Sequence, residues 1–350
     1  MEMESFDTQL DDGLRLESAA SRPDLWEIAS DEAHPLNIIW PPWMTEPDNP
    51  HWEALGEIEE LARYQTMVVK EPDEQVVAIG LCVPFYWPEL ADRELDLDGS
   101  IRWALSLPDR GWDAMLARGA LQAKARSGNT PEGADAGPHQ TDDDQRLHDS
   151  LSRSREPPNA LSAMLVNVMG DYKGAGIADA LLLNFKALAR QHGLKALVVP
   201  LRPTLKGRYP DVSMEEYLTW AQGKPNQPGT FAWSLDRLEK KKNEPEAGGD
   251  QQQAPVVLPF DPWLRKHIRM GARVVKIAPE SLVKEAPAAA WREWLEGKIE
   301  LDTSTDDDGK VIVLGEKLDG FKHDGRPVYW DAKRQVGRYV ETDIWVLHQL

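Results

Sequence analysis

The stretch that decides the fold runs from residue 163 to residue 200. It reads Ala163-Met-Leu-Val-Asn-Val168, then Met169-Gly-Asp-Tyr-Lys-Gly-Ala-Gly-Ile-Ala-Asp179, then Ala180-Leu-Leu-Leu-Asn-Phe-Lys-Ala-Leu-Ala-Arg-Gln-His-Gly-Leu194, and closes with Lys195-Ala-Leu-Val-Val-Pro200. The apolar run Ala163 to Val168 reads as a buried strand. Ile177 to Gln191 lacks Gly and Pro and carries apolar side chains on nearly every face, so it reads as a well-buried helix. Gly193 stands where a C-cap glycine belongs, and Ala196 to Val199 is a second buried strand. The order is strand, glycine turn, helix, strand.

The turn carries the chemistry. Glycines ahead of a helix let the backbone turn tightly and approach a ligand, and the unpaired N–H groups of the first helical turn favour a phosphate. Lys173-Gly174-Ala175-Gly176-Ile177-Ala178 is therefore a candidate pyrophosphate cradle; the other reading is a tight turn whose glycines serve packing alone. Two cradles are excluded. No Gly-Lys-Ser/Thr follows the turn, as a P-loop requires, and Asp179 fills the place where the dinucleotide fingerprint needs a small residue.

The run Val168-Met-Gly-Asp-Tyr-Lys-Gly-Ala-Gly-Ile-Ala resembles the acyl-CoA signature of the GNAT superfamily of N-acetyltransferases, Arg/Gln-x-x-Gly-x-Gly/Ala after a strand ending in Val. Lys173 stands at the Arg/Gln position, Gly176 at the first glycine and Ala178 at the Gly/Ala position. Farther on, His267-Ile-Arg-Met-Gly271-Ala-Arg-Val-Val resembles the family's second motif, Tyr-x-x-x-Gly-Phe, with His267 at the Tyr position and Ala272 at the Phe position. The resemblance is clearest from Leu161 to Pro279.

That resemblance implies an α/β (α+β) fold: a mixed, mostly antiparallel central sheet, splayed at the cradle strand and flanked by helices, with long insertions and a C-terminal extension. It implies direct attack of an amine on acetyl-CoA or another acyl-CoA, with no metal and no covalent enzyme intermediate. Asn167 and Val168 are expected to contact the acyl and pantetheine portion. Lys173, Gly174, Ala175, Gly176, Ile177, Ala178 and Asp179 are expected to hold the pyrophosphate. His267 is expected to protonate the leaving thiolate; the residue-level alternative is a histidine that only packs. Glu215, Glu216 and Asp261 are carboxylates within reach of the site, and no one of them stands out as the base. The acceptor is a small-molecule amine or a protein amine. A catalytically silent acyl-CoA-binding or protein-interaction module is the competing expectation.

Composition narrows the partners. A formal charge of −19 and a pI near 4.9 argue against nucleic acid, because a phosphate polymer repels such a field. The single cysteine, Cys82, excludes an internal disulfide and a multi-thiolate zinc site and fits a reducing compartment. No leader-like h-region and no membrane-spanning run is present, so a cytoplasmic protein without a membrane partner is expected. Neither G-x-S-x-G nor H-E-x-x-H occurs, so hydrolase and zinc-protease readings have no support.

The remaining chain sorts by composition. Residues 1–22 read as a disordered acidic tail and 23–126 as the N-terminal half of the domain. In that half Leu25 to Ala29 reads as a first strand, Trp52 to Tyr64 as an amphipathic helix and Thr66 to Pro84 as a hairpin. His34 to Trp52 is dense in Pro and Trp and reads either as a loop packed through its rings or as a wall of the acceptor pocket. Residues 127–158, almost without large apolar side chains, read as a disordered insertion. Residues 159–280 form the acyl-CoA-binding half, with a flexible insertion at 238–255, and 281–350 an extension completing the sheet. Ser213 with Glu216 reads as a capping box opening a helix to about Gln222, and Asp261 before Pro262 as the cap of the second-motif helix. Arg202, Thr204, Lys206, Arg208 and Tyr209 form a local basic patch, either a CoA phosphate site or surface solubility. The closing strand is Tyr339 to His348 or Val311 to Leu314.

Overall fold

The computed structural model describes residues 10, 13–38, 40–45, 51–95, 97, 101–128, 154–234, 257–294, 328–331 and 333–350. Its frame is one sheet of eight strands: β1 (Leu14–Ser18), β2 (Thr66–Lys70), β3 (Gln75–Phe85), β4 (Ala160–Val168), β5 (Ala196–Leu201), β6 (Ala272–Pro287), β7 (Val328–Asp331) and β8 (Val336–His348). They lie in the order β1-β2-β3-β4-β5-β8-β6, with β7 also pairing β8. Only β4 and β5 run parallel; every other pairing is antiparallel. The crossover between the two parallel strands is α3 (Ile177–Gln191), as a parallel neighbour requires.

Two layers of helix cover the sheet. On one face lie α3 and α4 (Pro262–Arg269), where Ile177, Leu181, Phe185 and Leu264 pack with Val68, Leu161, Leu197 and Val346. On the other face α2 (Gly111–Ser127) sets Met115 and Leu116 against Val83, Met164, Val198 and Trp345. There α1 (Pro23–Ser30) also sets Leu25 and Ala29 against Met67 and Ile79. Close approach needs the glycines of β3 and α2: a Cβ on Gly80 would lie 2.6 Å from Phe185, and one on Gly119 2.6 Å from Val83. Beyond the main body, α5 (Ala288–Trp294) brings Trp291 and Trp294 against Trp43 and Tyr339.

The mixed, mostly antiparallel sheet flanked by helices is the architecture expected from sequence. Several local expectations change. Residues 14–18, placed in the acidic tail, form β1 in register with β2, because Leu14 and Leu16 pack against the α3-side core. Leu25 to Ala29 is helix rather than strand: Pro23 opens it, and Leu25 and Ala29 fall on one buried face four residues apart. The Trp52–Tyr64 helix is two single turns, Ala54–Glu57 and Glu59–Ala62, broken at an extended Ile58. The helix expected to reach Gln222 stops at Tyr217 after one turn, although Ser213 Oγ does accept from Glu216 N at 3.1 Å. The closing strand is β8; Val311 to Leu314, most of 127–158 and all of 238–255 lie outside the described residues.

Candidate functional site

Two strands that run side by side come apart. β4 and β5 pair only at Ala160–Ala196, Leu161–Leu197 and Ser162–Val198, although β4 continues to Val168 and β5 to Leu201. The parting begins at an irregularity in β4. Leu165 faces Leu81 and Ala163 faces Cys82, so Met164 is the extra residue of a bulge. The bulge also switches the side chains: Leu161, Ala163, Val166 and Val168 pack on the α3 side, whereas Met164 and Leu165 turn to the α2 side. A V-shaped opening results, with β4 on one arm and β5 on the other.

The glycine turn, the candidate cradle, stands at the end of the β4 arm. After Val168 a single 3₁₀ turn (Gly170–Tyr172) leads to Gly174 at φ +92° and Gly176 at φ +75°, both in the left-handed region that favours glycine. Gly176 is the N-cap of α3, and no side chain caps the helix there. A Cβ on Gly170, Gly174 or Gly176 would meet no atom within 4 Å, so the loop faces open space. A missing side-chain cap withholds about 1 kcal/mol. Burial of Ile177, Leu181, Leu182 and Phe185 contributes about 1.5–3 kcal/mol for each side chain. The helix is thus held by its buried face, and its first N–H groups remain available to an anion.

The expected contacts divide. Gly174, Ala175, Gly176, Ile177 and Ala178 are together in the cradle, and Lys173 lies beside it, exposed. Asp179 pairs with Lys266 of α4, tying the two helices on this face. Asn167 is buried and its Nδ2 donates to the Leu36 carbonyl at 2.6 Å, so its side chain serves the loop beneath α1 rather than the opening. Val168 ends the β4 arm.

His267 has no exposed surface. Its Nδ1 lies 2.9 Å from His348 Nε2, Trp263 meets its ring edge-on at 4.7 Å, and its Nε2 has no hydrogen-bond partner among the described residues. Burial holds His267 neutral, well below the usual histidine range, and brings His348 down to about 4. The basic patch after β5 largely turns inward: Arg202 Nε pairs with Glu341, Lys206 Nζ donates to the Tyr209 carbonyl, and Tyr209 joins Tyr217, Trp220 and Phe260 in a ring cluster; Thr204 and Arg208 are exposed. Asp261 accepts from Trp263 N and Leu264 N as the cap of α4, and also from Leu205 N at 2.9 Å and Tyr217 Oη at 2.8 Å. Glu215 and Glu216 are exposed and line a surface cleft of about 600 Å³ with Trp233.

Sequence reasoning missed the opposite side of the opening. Here α2 begins over β5 and β6: a Cβ on Gly111 would touch Pro200, Ala278 and Ser281. Trp112 N donates to Ser281 Oγ at 2.9 Å, and Ser281 Oγ donates to Asp343 at 2.6 Å. The Trp112 indole N–H donates to the Met164 carbonyl at 3.0 Å, at the bulge itself, and Trp52 stacks against its ring at 6.1 Å. Glu341 and Asp343 are buried around this point and Asp113 is half-buried, and the desolvation pushes the Asp113 carboxyl up to about 6. No short motif links residues 52, 112, 164, 281 and 343.

No protein-family model matches the chain. Over its full length it is 31% identical to "Arginine N-acetyltransferase avaD" of Aspergillus versicolor, covering 99% of that protein. Among solved structures, the loading GNATL domain of CurA from Lyngbya majuscula aligns over 96% of both chains at 14% identity and a TM-score of 0.41. The GphF GNAT-like decarboxylase in complex with isobutyryl-CoA aligns over 96% of this chain and 98% of its own, at 14% identity and 0.39.

Proposed function

We propose that this chain, which belongs to the GNAT superfamily of acyl-CoA N-acyltransferases, moves an acetyl group from acetyl-CoA to the amine of a cationic amino acid such as arginine. One observation carries the reading: an uncapped helix N-terminus preceded by two left-handed glycines stands directly beside two parallel strands that part after their third pair. The helix supplies N–H donors and the positive end of its dipole to a pyrophosphate. The freed edge of β4 offers main-chain groups to a pantetheine arm and a thioester carbonyl.

In this reading the pyrophosphate sits on Lys173 to Asp179 and the acyl arm follows Asn167 and Val168 through their main chain. The amine nitrogen attacks the thioester carbon; a C–N bond forms, the C–S bond breaks, the nitrogen gives up a proton and the thiolate takes one. Positioning of the two reactants is the protein's main contribution. We assign His267 to the packing of α4, since it is sealed from solvent and held neutral against His348. Asp261 we assign to the fold, since five donors already converge on it.

The acceptor is drawn from the relative's substrate and from the α2 side of the opening. Asp113, Glu341 and Asp343 make that wall acidic, and Trp52 and Trp112 make it aromatic. Carboxylates and ring faces are what a guanidinium or ammonium group seeks. The wall already holds one guanidinium, Arg202 Nε at 3.1 Å from Glu341.

The test is calorimetric titration with acetyl-CoA, then mass spectrometry of reactions offering arginine, lysine and leucine. Binding near 1 μM, about −8 kcal/mol, lost in Gly176→Trp, together with acetylation of arginine ahead of leucine, is the expected result. Absence of binding refutes the cradle. Binding without transfer to any amine leaves a silent acyl-CoA module in its place.

A further inference from the structure

Trp112 crosses the opening between β4 and β5. Its main chain is fixed on the β5 and β6 side, through Ser281 Oγ and the contact of Gly111 with Pro200. Its indole is fixed on the β4 side, at the Met164 carbonyl. Gly111 stands over Pro200 of β5 and the indole is held on β4, and these two strands part beyond Ser162 and Val198, so the ring lies across the gap they leave. It does so from the α2 face, whereas the cradle helix lies on the other face with Ile177, Leu181 and Phe185. Trp52 stacks behind the indole, which gives the ring no easy retreat.

From this arrangement we infer that Trp112 is the end wall of the acyl pocket and sets the length of acyl chain the protein accepts. The inference rests on the acyl-CoA reading above and deepens it. An acyl group carried through the opening from the cradle side points toward the α2 face and meets the indole. An acetyl group stops short of it. A longer chain would have to displace a ring held by a hydrogen bond at one edge and a stacked indole behind. The ring therefore selects short acyl groups by exclusion, an effect that grows with each added methylene. Binding of the CoA moiety itself does not involve Trp112, because pyrophosphate and adenosine stay on the α3 side.

The experiment compares kcat/KM for acetyl-, butyryl- and hexanoyl-CoA with arginine as acceptor, following thiol release, in the wild type, Trp112→Ala and Trp112→Phe. The wild type should discriminate against hexanoyl-CoA by about tenfold or more. Trp112→Ala should raise the hexanoyl-to-acetyl ratio by a similar factor. Trp112→Phe, which keeps a ring in the opening, should retain most of the discrimination and guards against a poorly folding alanine variant. A wild type that uses hexanoyl-CoA as readily as acetyl-CoA, or a Trp112→Ala protein that turns over acetyl-CoA with an unchanged ratio, overturns the inference while sparing the acyltransferase reading. No consumption of any acyl-CoA by any of the three brings down both.

Discussion

Replacing Asp261 by alanine should unfold a large part of this protein's stability margin. The carboxylate is 1% exposed and receives five hydrogen bonds: Trp263 N at 3.0 Å, Leu264 N at 3.1 Å, Leu205 N at 2.9 Å, Tyr217 Oη at 2.8 Å and a long one from Thr204 Oγ1 at 3.5 Å. Loss of the helix cap costs about 1 kcal/mol. The Leu205 N–H and the Tyr217 hydroxyl are then left buried without their acceptor, at about 1–3 kcal/mol each. Together the loss is near 5 kcal/mol, against a total of about 5–15 kcal/mol for an ordinary domain. Tyr217→Phe removes donor and bond at once and should cost only about 1 kcal/mol. The assay is equilibrium unfolding in urea followed by tryptophan fluorescence, comparing midpoints at constant slope. Asp261→Asn, which keeps one acceptor oxygen, should fall between the two and keep its activity per folded molecule. A loss below about 1 kcal/mol in the alanine variant refutes the structural role. A folded Asp261→Asn protein that is a hundredfold less active would instead make this carboxylate the base.

Other expectations follow from single features. Gly176→Ala places a side chain at φ +75° with no neighbour to clash with, so the backbone alone pays about 1–2 kcal/mol; urea unfolding should register that loss, and calorimetry an acetyl-CoA affinity weaker by about tenfold. Gly80→Ala drives a Cβ to 2.6 Å from Phe185 and should destabilise by about 1–3 kcal/mol in the same assay. Stability should also fall as the pH drops below 6.5. There the unfolded chain protonates His267 and His348, while the fold holds His267 well below that value and His348 near 4. The slope is up to about 1.4 kcal/mol per pH unit for each histidine. Asp113 acts in the opposite sense, since its folded carboxyl, raised to about 6, takes up a proton before the unfolded one does and regains stability below pH 6. Two histidines against one carboxylate leave a net loss between pH 7.5 and 5, and His267→Phe/His348→Leu should flatten it; an unchanged slope in that variant assigns the effect elsewhere.

The elements legible in the sequence are those whose determinants are local. Strand, glycine turn and helix between residues 160 and 191 declare themselves by apolar runs and by glycines at the two positive-φ positions, and Asp261 before Pro262 announces a helix start. What distance in the chain hides is the use each residue finds. Arg202 stands in the sequence without its partner Glu341, and His267 without His348, which lies 81 residues on and 2.9 Å away in the fold. The Met164 bulge depends on how β3 registers with β4, and the Trp112 bridge on an α2 that begins over β5 and β6. Leu25 to Ala29 is too short for period to separate strand from helix, and there the opening proline was the better signal.

The place of β8 bears on how the molecule is made. Residues 344–348 fill the slot between β5 and β6, and residues 336–339 lie between β7 and β6. A ribosome delivers them after the other strands described. Until they emerge, β5 touches its other neighbour, β4, at only three pairs and shows a bare edge on the far side. Closing that slot joins segments about 150 residues apart, a late and slow kind of contact. Nascent chains are thus exposed to edge-to-edge sticking from the synthesis of β5 to that of β8, and a stop codon before residue 336 would release a protein with its sheet unjoined and without Ile344 and Val346 in the core under α3.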